Sequence, residues 1–256
     1  MEEDMLIFNQ AIERLIHEKN ASPGDLMIKV GKLFLETPYA AHTLEIDGDE
    51  KLVINLREMD CTTFTEICLA LTRTIQSKNP DFERYAQELT KIRYRDAEID
   101  NYTSRLHYMS DWIYENQKKR IVEDVTKDIS NTPYVKTINF MSNYPDSYKH
   151  LKNNPGFVDD ISRIEAEITN RQYHYIPKQE IQKLENLLSD GDIAALSTSI
   201  DGLDISHAGI LVRKNNRIHL LHASTTENKV VLSKEPLHDY LQKSRSVTGI
   251  MVARPL

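Results

Sequence analysis

Two cysteines and nine histidines carry most of the nucleophilic and proton-transfer chemistry that this 256-residue chain can offer. Cys61 follows Asp60 at the head of a run in which Phe64, Ile67, Cys68, Leu71 and Ile75 recur at the three-and-four spacing of one helical face, widened by Leu69 and Ala70. That spacing predicts a buried helix. Asp60 suits its N-cap, which puts Cys61 at the first helical position, where free backbone N–H groups and the positive end of the helix dipole favour an anion. A thiol there is expected to ionise below the ~8.5 of a free cysteine, and the thiolate is the nucleophilic form. A small apolar residue would also sit comfortably at such a place. The distinction rests on the histidines.

His207 and His222 fall on neighbouring strands, Ser206–Val212 and Ile218–Ser224, on either side of Asn215-Asn216. Asn-Asn tolerates the positive φ of a tight hairpin, so the turn is placed there. Cross-strand partners then follow: Gly209 faces His222, His207 faces Ser224 and Val212 faces His219. Side-chain alternation puts His207 and His222 on one face as diagonal neighbours, roughly 7–8 Å apart at the backbone, and turns His219 away. A turn with an odd number of residues would exchange these roles. Ala208, Gly209 and Ala223 leave room for another element, and the helix headed by Cys61 is expected to pack there. The product is a thiol, an imidazole to take its proton and a second imidazole to orient the first, which is an arrangement for acyl transfer.

The elements that must hold these residues read as α+β. Residues 4 to 19 and Leu26 to Leu35 are expected to be helical, interrupted at Ser22-Pro23-Gly24-Asp25. Leu52 to Leu56 is expected to be a short strand leading into the Cys61 turn. From Asp192 onward short period-two runs predict an antiparallel meander, closed by a helix over Leu237 to Lys243 and a last strand over Gly249 to Ala253. One catalytic domain over 1–256 is expected, with a core at about 1–78 and 190–256 and a polar, helical insertion at about 79–189. Within the insertion Arg95, Arg105 and Trp112 have the chemistry of a wall that anchors carboxylates and stacks on sugar; a solvated helix packing its aromatics on the core explains them equally well.

A net charge of −7 and a pI near 5.7 argue against nucleic acid as a partner, and no run is long and apolar enough to span a membrane. The two cysteines stand seven apart on one helix, roughly 10 Å, beyond the reach of a disulfide. The N-terminus opens Met1-Glu2-Glu3-Asp4 with no basic-then-apolar leader. A cytosolic protein, or one whose leader has been trimmed, is expected.

Asp60-Cys61 at the mouth of a buried helix, Ser206-His207-Ala208-Gly209-Ile210 on one strand and His222-Ala223-Ser224 on the next resemble the NlpC-type cysteine peptidases, papain-like enzymes that hydrolyse amide bonds of bacterial peptidoglycan. Thr37-Pro38-Tyr39 matches the Thr-Pro-Tyr segment of that superfamily. Two departures, Thr62-Thr63-Phe64 after the cysteine and the long span between motifs, together with Arg105-Leu106-His107-Tyr108, Gly191-Asp192-Ile193 and Gly202–His207, are similar to the narrower N-acetylmuramoyl-L-alanine amidase-like family. The resemblance implies a papain-like core with the cysteine helix on an antiparallel sheet. Cys61 is then the nucleophile, His207 the base, His222 the orienting group and Tyr39 an oxyanion or substrate donor. Asp60, Ser206, Arg95, Arg105 and Trp112 become substrate contacts. The implied reaction is cleavage between the muramoyl lactyl group and L-alanine, on muropeptides and notably anhydro-muropeptides, with no cofactor, in the bacterial cell envelope. Three alternatives stand beside it: a zinc site on Cys61, His207 and His222; a stem-peptide endopeptidase using the same triad; and a muropeptide-binding module whose triad has decayed.

Overall fold

The computed structural model describes residues 2–256. Five helices form the first layer: α1 (Glu2–Leu15), α2 (Pro23–Leu33), α3 (Cys61–Ile75), α4 (Phe82–Arg93) and α5 (Met109–Lys118). Each start has a local cause. The Ser22 hydroxyl accepts from the Asp25 N–H at 3.1 Å and Pro23 occupies the first turn of α2, where its missing N–H loses nothing. Asp81 caps α4 through the Arg84 N–H at 2.8 Å. α3 begins with a reciprocal capping box: the Asp60 carboxylate accepts from the Thr63 N–H at 2.8 Å, and the Thr63 hydroxyl accepts from the Asp60 N–H at 2.9 Å. From Phe64 to Leu71 every residue of α3 is buried, which matches the expected core helix.

The second layer is a seven-stranded antiparallel sheet. Its strands are β1 (Val122–Asp124), β4 (Ile176–Pro177), β5 (Ile193–Thr198), β6 (Ile205–Lys214), β7 (Arg217–Ser224), β8 (Lys229–Leu232) and β9 (Val247–Pro255), while β2 (Pro133–Tyr134) and β3 (Tyr173–His174) pair as a separate ribbon. The main order is β1-β9-β5-β6-β7-β8, with β4 also on β9. β5 to β8 are thus the expected meander. The turn falls at Asn215-Asn216, with φ of 52° and 61°, and Val212 pairs with His219.

Alternation divides the sheet between two cores. Ile193, Ala195, Ala208, Ile210, Val212, Leu221 and Ala223 share a cluster with α2 and α3; Ala194, Leu196, Leu211, Ile218, Leu220 and Val252 share another with Leu237 and Leu241 of the last helix, Leu237–Gln242. Each fully buried leucine on these faces contributes roughly 1.5–3 kcal/mol. α2 approaches so closely that a Cβ on Gly31 would lie 2.8 Å from the tip of the Leu221 side chain, so a larger residue there would force that side chain to shift.

One expected strand meets a different outcome. Leu52 to Leu56 is extended but joins no sheet. Side chains take up its backbone groups instead: the Val53 carbonyl accepts from Arg93 at 2.7 Å, and the Leu56 N–H donates to the buried Asp4 carboxylate at 2.9 Å. The segment 79–189 is woven into the core, since Tyr85, Leu89, Ile92, Trp112 and Ile113 of α4 and α5 belong to the α3 cluster and β1 and β4 extend the sheet. A smaller core of its own gathers Tyr102, Tyr108, Ile138, Met141, Leu151, Ile161 and Ile168.

Candidate active site

Cys61 is the first residue of α3 and is half-buried. The approach to it is fixed by backbone pairing. The Glu36 N–H donates to the Val230 carbonyl at 3.0 Å, the Tyr39 N–H to Asn228 at 2.9 Å, and the Met59 N–H to Pro38 at 3.1 Å. Thr37-Pro38-Tyr39 is therefore held between the β8 edge and the residues just before Cys61. Half-buried Tyr39 lines the same cavity as the thiol.

The histidines are set by β6 and β7. Their ladder closes at Ile210–Leu221, while β6 begins earlier, at Ile205, and β7 runs on to Ser224. Into this open end comes the mouth of α3, where Cys61 borders the same cavity as His207 and His222. His207 Nε2 lies 2.7 Å from His222 Nδ1, with the rings 4.8 Å apart and crossed at 88°. Gly209 permits this, because a Cβ there would stand 3.0 Å from the His222 Cβ and 2.8 Å from Leu220. His219 is on the other face, its Nδ1 3.0 Å from the Ser233 carbonyl. Cys61, His207, His222, Tyr39, Ser206 and Tyr240 border one cavity of about 810 Å³.

The chain has matching relatives. The model of the N-acetylmuramoyl-L-alanine amidase-like family matches residues 29–250. The chain belongs to that family. A crystal structure of an N-acetylmuramoyl-L-alanine amidase from Bacteroides uniformis is 42% identical, with a TM-score of 0.88, over 92% of this chain and 99% of that one. A structure of a putative xylanase from Bacteroides fragilis is also 42% identical, with a TM-score of 0.84 over 88% of this chain and 99% of its own. A Legionella pneumophila protein at 22% identity and a TM-score of 0.71, covering 97% of this chain and 94% of that one, shares the fold. No curated protein matches.

In this amidase-like protein α3 packs where Ala208 and Ala223 leave room, as their small size suggested, on the face of the strands away from the His222 ring. α3 packs on the Ile210 and Leu221 face, whereas His222 meets Tyr240 of the last helix, ring centroids 5.3 Å apart. The Cys61 thiol, at the head of α3, borders the cavity that His207 and His222 also line. Ser206 assists: Leu196 pairs with His207 and Ser197 with Ile205, so Ser206 is an extra residue, a β-bulge of the kind that re-aims a neighbouring side chain.

The thiol is also not the acidic group expected from its helix position. Burial, then the negative charge of Asp60, push its pKa up to about 11, against the lowering from the Ala208 N–H, Thr62 and its own N–H. Desolvation outweighs the helix mouth. Burial likewise depresses His207 to about 4, and burial together with His207 depresses His222 to about 3. Burial raises Tyr39, helped by the charges of Cys61 and Asp60. The resting site at neutral pH is a neutral thiol beside two neutral imidazoles.

The remaining expected contacts lie elsewhere. Trp112 is 0% exposed in the main core, out of reach of any sugar. Arg95 is paired with Asp111 and, at 3.3 Å, with Glu115. Arg105 is buried, bonded to Glu45 at 2.6 Å and to the Leu44 carbonyl at 3.1 Å. With Asp60 it borders a separate cavity of about 160 Å³ beside the first turn of α3. Asp60 spends one carboxylate oxygen on the capping box. Among the described residues no three His, Cys, Asp or Glu side chains converge as a metal centre requires. Tyr240, three residues after Leu237 on the last helix, is a site residue that the sequence pattern did not single out.

Proposed function

We propose that this protein is a cysteine-dependent amidase that hydrolyses the bond between the muramoyl lactyl group and L-alanine in peptidoglycan fragments, with anhydro-muropeptides as its substrates. The reading rests on one observation: Cys61 and the hydrogen-bonded His207–His222 pair open onto a single cavity at the split end of β6 and β7. Family membership supports the substrate class.

The chemistry follows from the neutral resting state. His207 Nε2 is engaged with His222 Nδ1, which leaves Nδ1 of His207 for the thiol. The one proton between the rings then sits on His207 Nε2, and His222 accepts it, holding His207 in the tautomer whose Nδ1 is a base. As the Cys61 sulfur attacks the lactyl carbonyl carbon, its proton passes to His207 Nδ1 and the carbonyl electrons move onto oxygen. The Cys61 N–H and the Tyr39 hydroxyl stabilise that oxyanion. When it collapses, the C–N bond breaks and the His207 proton goes to the alanine nitrogen. Water then attacks the thioester, gives a proton to His207, and the returning proton restores the thiol.

Mass analysis after incubation with an anhydro-muramoyl tripeptide tests this. The expected products are the anhydro-muramic acid with a free lactyl carboxylate and a tripeptide with a free L-alanine amine, and Cys61→Ala should form neither. Cleavage inside the stem peptide would show an endopeptidase. No cleavage, with Cys61 no more reactive than Cys68, would show a binding module. A chelator-sensitive activity tracking bound zinc would overturn the thiol mechanism.

A further inference from the structure

The catalytic pair as described has no carboxylate to balance the charge that His207 acquires in each half-reaction. His222 is 1% exposed, and the groups packed on it are His207, 2.7 Å away by hydrogen bond, and the Tyr240 ring, 5.3 Å centroid to centroid at an interplanar angle of 70°. The other titratable groups around the cavity are Cys61, Tyr39, Glu36, Glu227, Lys229, Lys234, Glu235 and Lys243. Lys229 is bound to Glu36 at 2.6 Å, and Lys243 to Glu235 at 2.5 Å. A buried imidazolium with no anionic partner is expensive unless something else stabilises it. An aromatic ring does so through its quadrupole when it turns its face to the cation within about 6 Å, and a crossed contact such as the 70° pair of His222 and Tyr240 is one arrangement that brings an edge to a face.

We propose that Tyr240 is a positioning residue of this site: its ring fixes His222 edge-on against His207 and stabilises the positive charge that the pair carries while the Cys61 proton is in transit. The Tyr240 helix is anchored for the task, since Leu237 and Leu241 on either side of the tyrosine are both 0% exposed. The inference rests on the amidase reading for its kinetics, but not for its effect on the imidazoles.

The test replaces Tyr240 with phenylalanine and then with mono-, di- and trifluorophenylalanine, which drain the ring's negative face at nearly constant shape. kcat on the anhydro-muramoyl tripeptide is expected to fall with each fluorine, roughly threefold in all, with KM held within twofold. The ring-CH proton resonances of His207 and His222 should titrate about half a pH unit lower in the trifluoro protein than in the Phe protein. Tyr240→Leu should lose a similar factor in kcat, and Tyr240→Phe should recover most of it. A flat fluorine series overturns the proposal and leaves the ring a packing role; so does a Phe variant as impaired as Leu, which would transfer the role to the hydroxyl. If the wild-type protein cuts no muropeptide, the amidase reading falls, and the histidine titrations still decide the case of Tyr240.

Discussion

His207 Nε2 stands 2.7 Å from Nδ1 of His222, so under the proposed mechanism the group that would orient the base is itself an imidazole. Removing it as His222→Ala should free His207 to rotate and lower kcat roughly 10²-fold or more, with the fold intact. His222→Glu should place a carboxylate against His207 and raise the acid limb of the rate profile above about 4, the depressed value of His207 with a neutral partner. A pH–rate series on the two variants checks both, and an unmoved acid limb in the Glu variant would refute the orienting role.

The neutral resting state has its own signature. His207 is a base only while unprotonated, so kcat/KM should decline as pH falls through about 4, and the thiol should hold its proton until about 11. Alkylation of Cys61 by iodoacetamide should then climb close to tenfold per pH unit between 7 and 9. A preformed thiolate–imidazolium pair would give a plateau over the same range. The alkylation profile therefore separates the two, and a plateau would show that the helix dipole outweighs burial at this sulfur.

Tyr39 is pinned beside Cys61 by backbone bonds on both sides, so its hydroxyl can be removed without moving the chain. Loss of one oxyanion donor typically costs ~10²–10³ in turnover. Tyr39→Phe should show that loss in kcat with an unchanged melting temperature. A variant at wild-type rate would assign the oxyanion to other donors.

How much of this was readable in the sequence depends on how local each cause is. The Asn215-Asn216 turn fixes strand parity by itself, and parity alone puts His207 next to His222. Asp60 as the cap of α3 is equally local. The bulge at Ser206 is invisible because it depends on how β5 runs past β6, and the pairing of Leu52 to Leu56 failed because distant Arg93 and Asp4 claim its backbone. The thiol was misjudged for a related reason. A helix mouth is evident in one dimension, while the burial that overrides it comes from the whole fold. Tyr240 carries no local mark of its place against His222.

Trp112 separates a packing role from a binding one. It is fully buried among α3, α4 and α5, so Trp112→Ala should destabilise the fold by about 3–5 kcal/mol through the cavity it leaves. Trp112→Phe should be milder and leave KM for the muropeptide within twofold. Denaturant melts give the first quantity and steady-state kinetics the second. A tenfold rise in KM for the Phe variant would restore the sugar-stacking role.

Asp60 performs two opposed services, and substitution can divide them. Its carboxylate caps α3 through Thr63, while its charge, one residue from the sulfur, helps to hold the Cys61 pKa up. Asparagine caps a helix about as well as aspartate but is neutral. Asp60→Asn should therefore keep stability close to wild type and lower the thiol pKa, so that alkylation of Cys61 at pH 8 becomes faster. Asp60→Ala should also ease ionisation but lose the cap, about 1 kcal/mol of stability. Slower alkylation in Asp60→Asn would mean that the carboxylate organises the helix mouth more than it repels the thiolate, and that the dipole, correctly aimed, is the stronger influence on the sulfur.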